Sequence, residues 1–244
     1  MKYVYKTRVT ASQTDAGIGI STLGIAQVIQ DNVCAFFACF NKDNVCLKRD
    51  YNSVWVFVKN RFKKTAIAYW NTEITVESYI SKRSAALLIV DTVIKNPDGK
   101  VAVFARTEMC AVDLASGRIR RISSVGFPED VEVYPSEADF EFNRFAFGGL
   151  KEKYSFTVPS TSVDYCMHLN NVESLRFILN TVPVSYGVLH PVRDVEIHFI
   201  SQSREGDVLS VLAGRDETAE IFEIKNGENI AARCRIIRDD DYNA

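Results

Sequence analysis

A chain of 244 residues holds one large domain or two of roughly 100 to 130 residues, each able to bury a core. A formal net charge of −2 and a pI near 6.0 leave no global electrostatic footprint for nucleic acid. The six cysteines (Cys34, Cys39, Cys46, Cys110, Cys166, Cys234) form no CxxC pair and fall mostly inside apolar runs, which predicts reduced, mostly buried thiols in a reducing compartment. The N-terminus alternates Lys2, Lys6 and Arg8 with apolar residues, and the most apolar run, Val33 to Phe40, is far too short to span a bilayer. The expectation is a soluble, cytoplasmic, unprocessed protein with no membrane span.

In chain order, a short alternating strand at Tyr3 to Thr10 leads to an irregular segment. A long helix follows, capped by Ser21 and running to about Phe40, with Leu23, Ile25, Ala26, Val28, Ile29, Val33, Phe36, Phe37 and Phe40 covering most of its surface. Apolar on nearly every side, it is expected to be buried. Strands are predicted at Val54 to Arg61, Thr72 to Ile80, Ala85 to Lys95 and Val101 to Val112. Asp113 to Gly149 has no sustained period and carries Gly and Pro, so it reads as linker over the surface. A second strand at Tyr154 to Val158 then precedes a second helix. Asn170 with Glu173 predicts a variant capping box there, and Val172, Leu175, Ile178, Leu179 and Val182 form an inward face until Pro183. Strands at Val192 to Ile200, Asp207 to Ala213, Ala219 to Ile224 and Ile230 to Ile237 complete the series. Asp98-Gly99 and Asn226-Gly227 read as hairpin turns, so much of the pairing is expected to be antiparallel.

The two halves repeat. At an offset of 149 (164 minus 15), Asp15 falls on Asp164, Ser21 on Asn170, Leu23 on Val172, Val28 on Phe177 and Ile29 on Ile178, with no gap. Where the second copy has Cys166 and His168, the first has Gly17 and Gly19. The strand tails, Asn96 to Arg106 and Lys225 to Arg233, echo each other as well. A duplicated α+β domain is predicted, each copy a long buried helix wrapped by an antiparallel sheet: residues 1–125, a linker at 126–150, and residues 151–244.

A helix wrapped by a sheet and duplicated in one chain is the tandem, or double, hotdog. The chain resembles the acyl-ACP thioesterases of the bacterial and plant oleoyl-ACP hydrolase type. The family's second-half motif reads D-x-N-x-H-x-N-N, then an apolar helix, then a strand ending in an E-x-x-x-G-D type segment. Here these are Asp164-Tyr165-Cys166-Met167-His168-Leu169-Asn170-Asn171 and Phe199-Ile200-Ser201-Gln202-Ser203-Arg204-Glu205-Gly206-Asp207. Asp15 and Val54-Trp55-Val56 carry the likeness into the first half. Two positions depart: the family asparagine is Cys166, and the family glutamate falls on Gln202, an amide that cannot accept a proton. The resemblance implies hydrolysis of fatty acyl-ACP, with the acyl carrier protein and its phosphopantetheine-linked chain as partner, no cofactor, and an acyl chain held by the first domain.

Thioester hydrolysis needs an attacking water or nucleophile, donors for the oxyanion and a proton for the departing thiolate. The second helix start, at Asn170, Asn171 and Val172, offers N–H groups and a dipole that favour negative charge. Asp164 is the candidate base or orienting carboxylate, and His168 the group that polarises water or donates to the carbonyl. The competing reading is that both merely shape a loop. Cys166 reads either as a thiol nucleophile partnered by His168 or as a spacer in the asparagine's place. Gln202 either holds a water or is a solvated strand end. Trp55 and Phe57 read as core or as lining for the acyl chain, which would gain roughly 0.8 kcal/mol per buried methylene. Lys59, Arg61, Lys63 and Lys64, or Arg118, Arg120 and Arg121, are candidates for the phosphopantetheine phosphate or an acidic carrier, against the plainer reading of solvated faces. His190 and His198 lack metal-ligand spacing, so no metal is expected.

The leading function is acyl-ACP hydrolysis in fatty acid biosynthesis. An acyl-CoA thioesterase, a non-catalytic acyl-thioester binder and a dehydratase acting on 3-hydroxyacyl thioesters compete with it. The last is disfavoured because Cys166-Met167 lacks that motif's proline. A homodimer is compatible with each of these.

Overall fold

The structure, a computed structural model, describes residues 1–144 and 148–239. The expected linker and second domain extend over 145–147 and 240–244, which lie outside the described residues. The chain divides into two compact units, Met1–Glu141 and Phe142–Ala244.

In the first unit, strand β1 (Tyr3–Arg8) and a 3-10 turn (Ala11–Gln13) lead into helix α1 (Thr22–Ala38). Ser21 caps α1 by accepting the Gly24 N–H at 2.9 Å. Gly24 is required: a Cβ there would lie 2.4 Å from the Gln13 carbonyl oxygen, so the helix could not approach the turn. Ile25, Val28, Ile29, Val33 and Phe36 recur at three- and four-residue spacing and are buried. The helix is not apolar all round, because Asp31, Cys34 and Ala38 are exposed. A short helix α2 (Asn44–Tyr51), which the sequence reading missed, follows with Asp43 as its cap. It buries only Leu47, so no apolar period announces it.

Strands β2 (Ser53–Lys64), β3 (Glu73–Arg83), β4 (Leu88–Lys95) and β5 (Val101–Asp113) form the sheet, with β6 (Ile119–Arg120) added to β5. Its order is β1-β3-β4-β5-β2, antiparallel throughout. Residues 126–141, read from sequence as linker, pack into this unit. Phe127 joins Phe37, Phe40 and Trp55 in an aromatic cluster with centroids 4.9–5.8 Å apart. Buried Arg106 pairs with buried Asp91 at 2.8 Å, donates to the Phe140 carbonyl at 2.8 Å and reaches Ser136.

In the second unit, β7 (Lys151–Thr157), a 3-10 turn (Ser160–Ser162) and α3 (Asn171–Leu179) repeat the opening. Helix α3 stops at Leu179, short of the expected Pro183, and a separate helix α4 (Val184–Leu189) begins after that proline. Asn170 caps α3 through the Val172 N–H at 2.8 Å, but the expected capping box is not formed. The Asn170 N–H donates to the Ser162 carbonyl at 2.9 Å, and Glu173 turns to Arg176 and the Ser162 hydroxyl.

Strands β8 (Val192–Phe199), β9 (Val208–Arg215), β10 (Glu220–Asn226) and β11 (Asn229–Arg238) give the order β7-β9-β10-β11-β8. Strand for strand this matches the first unit, so the chain is a tandem hotdog. Of the cysteines only Cys110 and Cys234 are buried; Cys34 and Cys39 are exposed, which corrects the expectation from their apolar surroundings. Among the described residues, no helix is long and apolar enough to cross a membrane.

Candidate active site

The duplication extends to single hydrogen bonds. In the second unit the Asp164 N–H donates to the His168 carbonyl at 2.9 Å, the Met167 N–H to the Asp164 carbonyl at 2.9 Å, and the Cys166 N–H to the Asp164 carboxylate at 2.8 Å. In the first unit the same three bonds join Asp15 to Gly19, Ile18 to Asp15 and Gly17 to Asp15, each at 3.0 Å. Ile18 and Met167 both occupy the left-handed region, at φ 62° and 63°. One oxygen of each aspartate therefore builds the loop. The second oxygen of Asp164 takes no part in these loop bonds.

The segments between β2 and β3 and between β8 and β9 are held to these loops in the same way. Ile20 donates to the Ala68 carbonyl and Leu169 to the Ser203 carbonyl, both at 2.8 Å. Val9 and Thr72 correspond to Val158 and Asp207, an offset for this segment of 135 (207 minus 72). Position 67 therefore answers to 202, and 19 to 168. A Cβ on Gly19 would lie 2.9 Å from Ile67 Cγ2. The equivalent pair is His168 and Gln202, so the repeat puts those two backbone positions side by side. Gln202 is itself exposed and Ser203 is buried.

Burial pushes the His168 imidazole below its ordinary value. The Asp164 carboxylate pulls it partly back up, and the Arg204 guanidinium adds to the lowering. The ring is thus neutral near pH 7, the form that accepts a proton from water. Arg204 is a neighbour of His168 that sequence reasoning missed; its place in the Ser203 to Asp207 turn carried no motif signal.

At the head of α3, the Val172 N–H is taken up by the Asn170 cap, so it cannot serve the oxyanion. The Asn171 N–H has no acceptor among the described residues. Cys166 is half-buried and reduced. Trp55 and Phe57 pair across to Ala111 and Met109 on buried positions of the first sheet, and the Trp55 indole N–H donates to the Lys42 carbonyl at 2.7 Å. Four of the seven basic candidates are engaged within the chain: Lys59 with Glu108, Arg61 with the Glu141 carbonyl, Lys63 with Asp139 and Arg120 with Asp113. Arg118 and Arg121 remain exposed. Among the described residues, no group of three His, Cys, Asp or Glu is placed to hold a metal.

The family model of the acyl-ACP thioesterase C-terminal domain matches residues 150–237. An acyl-ACP thioesterase structure from Bacteroides thetaiotaomicron superposes with a TM-score of 0.86 at 16% identity, covering 98% of each chain. The 12:0-ACP thioesterase from Umbellularia californica gives 0.82 at 14% identity, covering 98% of this chain and 97% of that one. No curated protein sequence matches the chain. The family resemblance read from the Asp164 to Asn171 motif thus holds: the second half matches the acyl-ACP thioesterase C-terminal domain, and the whole chain has the double hotdog fold of acyl-ACP thioesterase structures.

Proposed function

We propose that this chain hydrolyses the thioester of fatty acyl-ACP, releasing free fatty acid and the carrier protein. The carrying observation is His168, kept neutral by burial and seated just before α3 in the half that matches the thioesterase domain. In the reaction, His168 takes a proton from a water as its oxygen attacks the thioester carbon. The Asn171 N–H and the positive end of α3 receive the developing oxyanion. On collapse the C–S bond breaks, and the imidazolium returns its proton to the pantetheine thiolate. The free oxygen of Asp164 steadies the imidazolium, and Gln202 beside it holds the water by hydrogen bonds. Cys166 takes the asparagine's place as a spacer.

In this reading residues 1–125 form the hotdog that binds the acyl chain, with Trp55 and Phe57 among its lining. Residues 126–150 connect it to the catalytic hotdog at 151–244. The enzyme acts in the cytoplasm, without a cofactor, and a homodimer is its proposed assembly. Incubation with acyl-ACPs and detection of free thiol tests the reading. Thiol release that depends on His168 is expected; tight binding without release would make the chain an acyl-thioester binder.

A further inference from the structure

Cross-strand partners in an antiparallel sheet share a face. In the first hotdog one line of partners runs Ser78, Thr92, Ala105, Phe62, and the next runs Ile80, Val90, Thr107, Asn60. This face meets α1, because Asn32 of that helix donates to the Ser78 hydroxyl at 2.7 Å, and Ser78 contacts Thr92 at 2.7 Å. A polar stripe therefore crosses four strands of an otherwise apolar face, roughly 14 Å at the usual strand spacing.

The stripe is incomplete. Asn32, Asn60 and Thr107 are 4%, 7% and 0% exposed, yet Asn32 Oδ1, Asn60 Oδ1 and Thr107 Oγ1 have no hydrogen-bond partner among the described residues. Unpaired buried polar atoms are strongly disfavoured, and three on one face call for an occupant that bonds them.

The second hotdog supplies the control. Its equivalent line runs Ala213, Phe222, Cys234, Ile197, and opposite Thr107 and Asn60 stand Ile236 and Val195. The offset of 135 assigns Ser78 to Ala213 independently, since 78 plus 135 is 213. That second line begins with exposed Arg215 and with Glu220, which pairs with Arg238 at 2.8 Å, although Arg238 Nη2 has no partner among the described residues. The stripe is thus no requirement of the fold.

The structure assigns to this stripe a hydroxyl group carried on the acyl chain, so that the substrate is a hydroxyacyl thioester rather than a plain one. A hydroxyl both donates and accepts, so it satisfies the remaining oxygen of either asparagine and the Thr107 hydroxyl. This rests on the thioesterase reading and on the first hotdog holding the chain.

The test compares acyl-ACPs of equal length, one plain and a series hydroxylated near the thioester, mid-chain or near the end. At least one hydroxylated member should exceed the plain chain in kcat/KM by about tenfold or more, the scale of one net hydrogen bond. Asn60→Leu and Thr107→Val should each bring that ratio toward one. Equal rates across the wild-type series would overturn the inference and leave buried waters as the occupant; so would variants that keep the ratio. If a variant fails to fold, the wild-type series still discriminates. Turnover of no member would defeat the thioesterase reading instead, and calorimetry with the free hydroxy and plain fatty acids would then decide the stripe, equal affinities overturning it.

Discussion

The two hotdogs share strand order, loop hydrogen bonds and even a left-handed residue at the same loop position, yet only the second carries a cysteine and a histidine in that loop. Asp15 and Asp164 are common to both because each builds the loop with one carboxylate oxygen. An aspartate in this motif is therefore weak evidence of catalysis when taken alone. What differs is informative: Cys166, His168 and Gln202 stand where the first copy has Gly17, Gly19 and Ile67. The exchange runs the other way in the cores, where Asn60 and Thr107 of the first copy are answered by Val195 and Ile236 in the second. The first copy also holds an ion pair, Asp91 with Arg106, where the second places Ile221 opposite Arg235.

That last difference offers the largest expected effect. Arg106→Ala should destabilise the first hotdog by about 3–5 kcal/mol, because it leaves Asp91 charged and buried. Replacing both partners with apolar residues should cost much less. Urea unfolding compares the two, and equal losses would mean that the carboxylate finds another partner.

Next comes the split in chemistry. His168→Ala and Asp164→Asn should each lower kcat about 10²-fold or more, the scale of a positioned acid or base. Asp15→Asn, which keeps an oxygen for the loop, should leave kcat unchanged. A comparable loss at Asp15 would erase the functional distinction between the halves.

A smaller effect is expected where the site departs from its relatives. Cys166→Asn should retain or raise activity, since the amide makes hydrogen bonds that a thiol makes weakly. Abolished turnover, with loss of an acyl adduct by intact-protein mass spectrometry, would identify a nucleophile instead. Gln202→Glu should raise kcat by supplying a carboxylate beside His168. No gain would place Gln202 outside the reaction.

The smallest concerns pH. A group whose folded pKa is lowered stays neutral to lower pH, so activity that needs neutral His168 should fall only on acidification below the ordinary histidine range of about 6.5. Arg204→Gln removes a lowering influence and should move that acid limb upward. An unmoved limb would exclude Arg204 as an electrostatic neighbour.

The tandem fold was legible because periodicity, hairpin turns and the 149-residue echo all survive in local sequence. Helix α2 was not, because Asn44 to Tyr51 buries one side chain and keeps no apolar rhythm. The capping box failed because Ser162, eleven residues before Glu173, competed for both of its partners. Asp164 and His168 were visible as a motif, whereas the correspondence of Gln202 and His168 to Ile67 and Gly19 follows only from the repeat. The stripe was invisible for the same reason. Asn32, Asn60, Ser78, Thr92 and Thr107 are scattered along the chain, and only sheet register collects them.

The contact between Gly19 and Ile67 also bears on how such a protein can change after its gene doubles. A histidine introduced at position 19 would collide with Ile67, while a smaller or polar residue at 67 gains nothing as long as 19 is glycine. Either substitution alone is a loss or a neutral step. Building the second copy's arrangement into the first hotdog therefore requires positions 19 and 67 to change together.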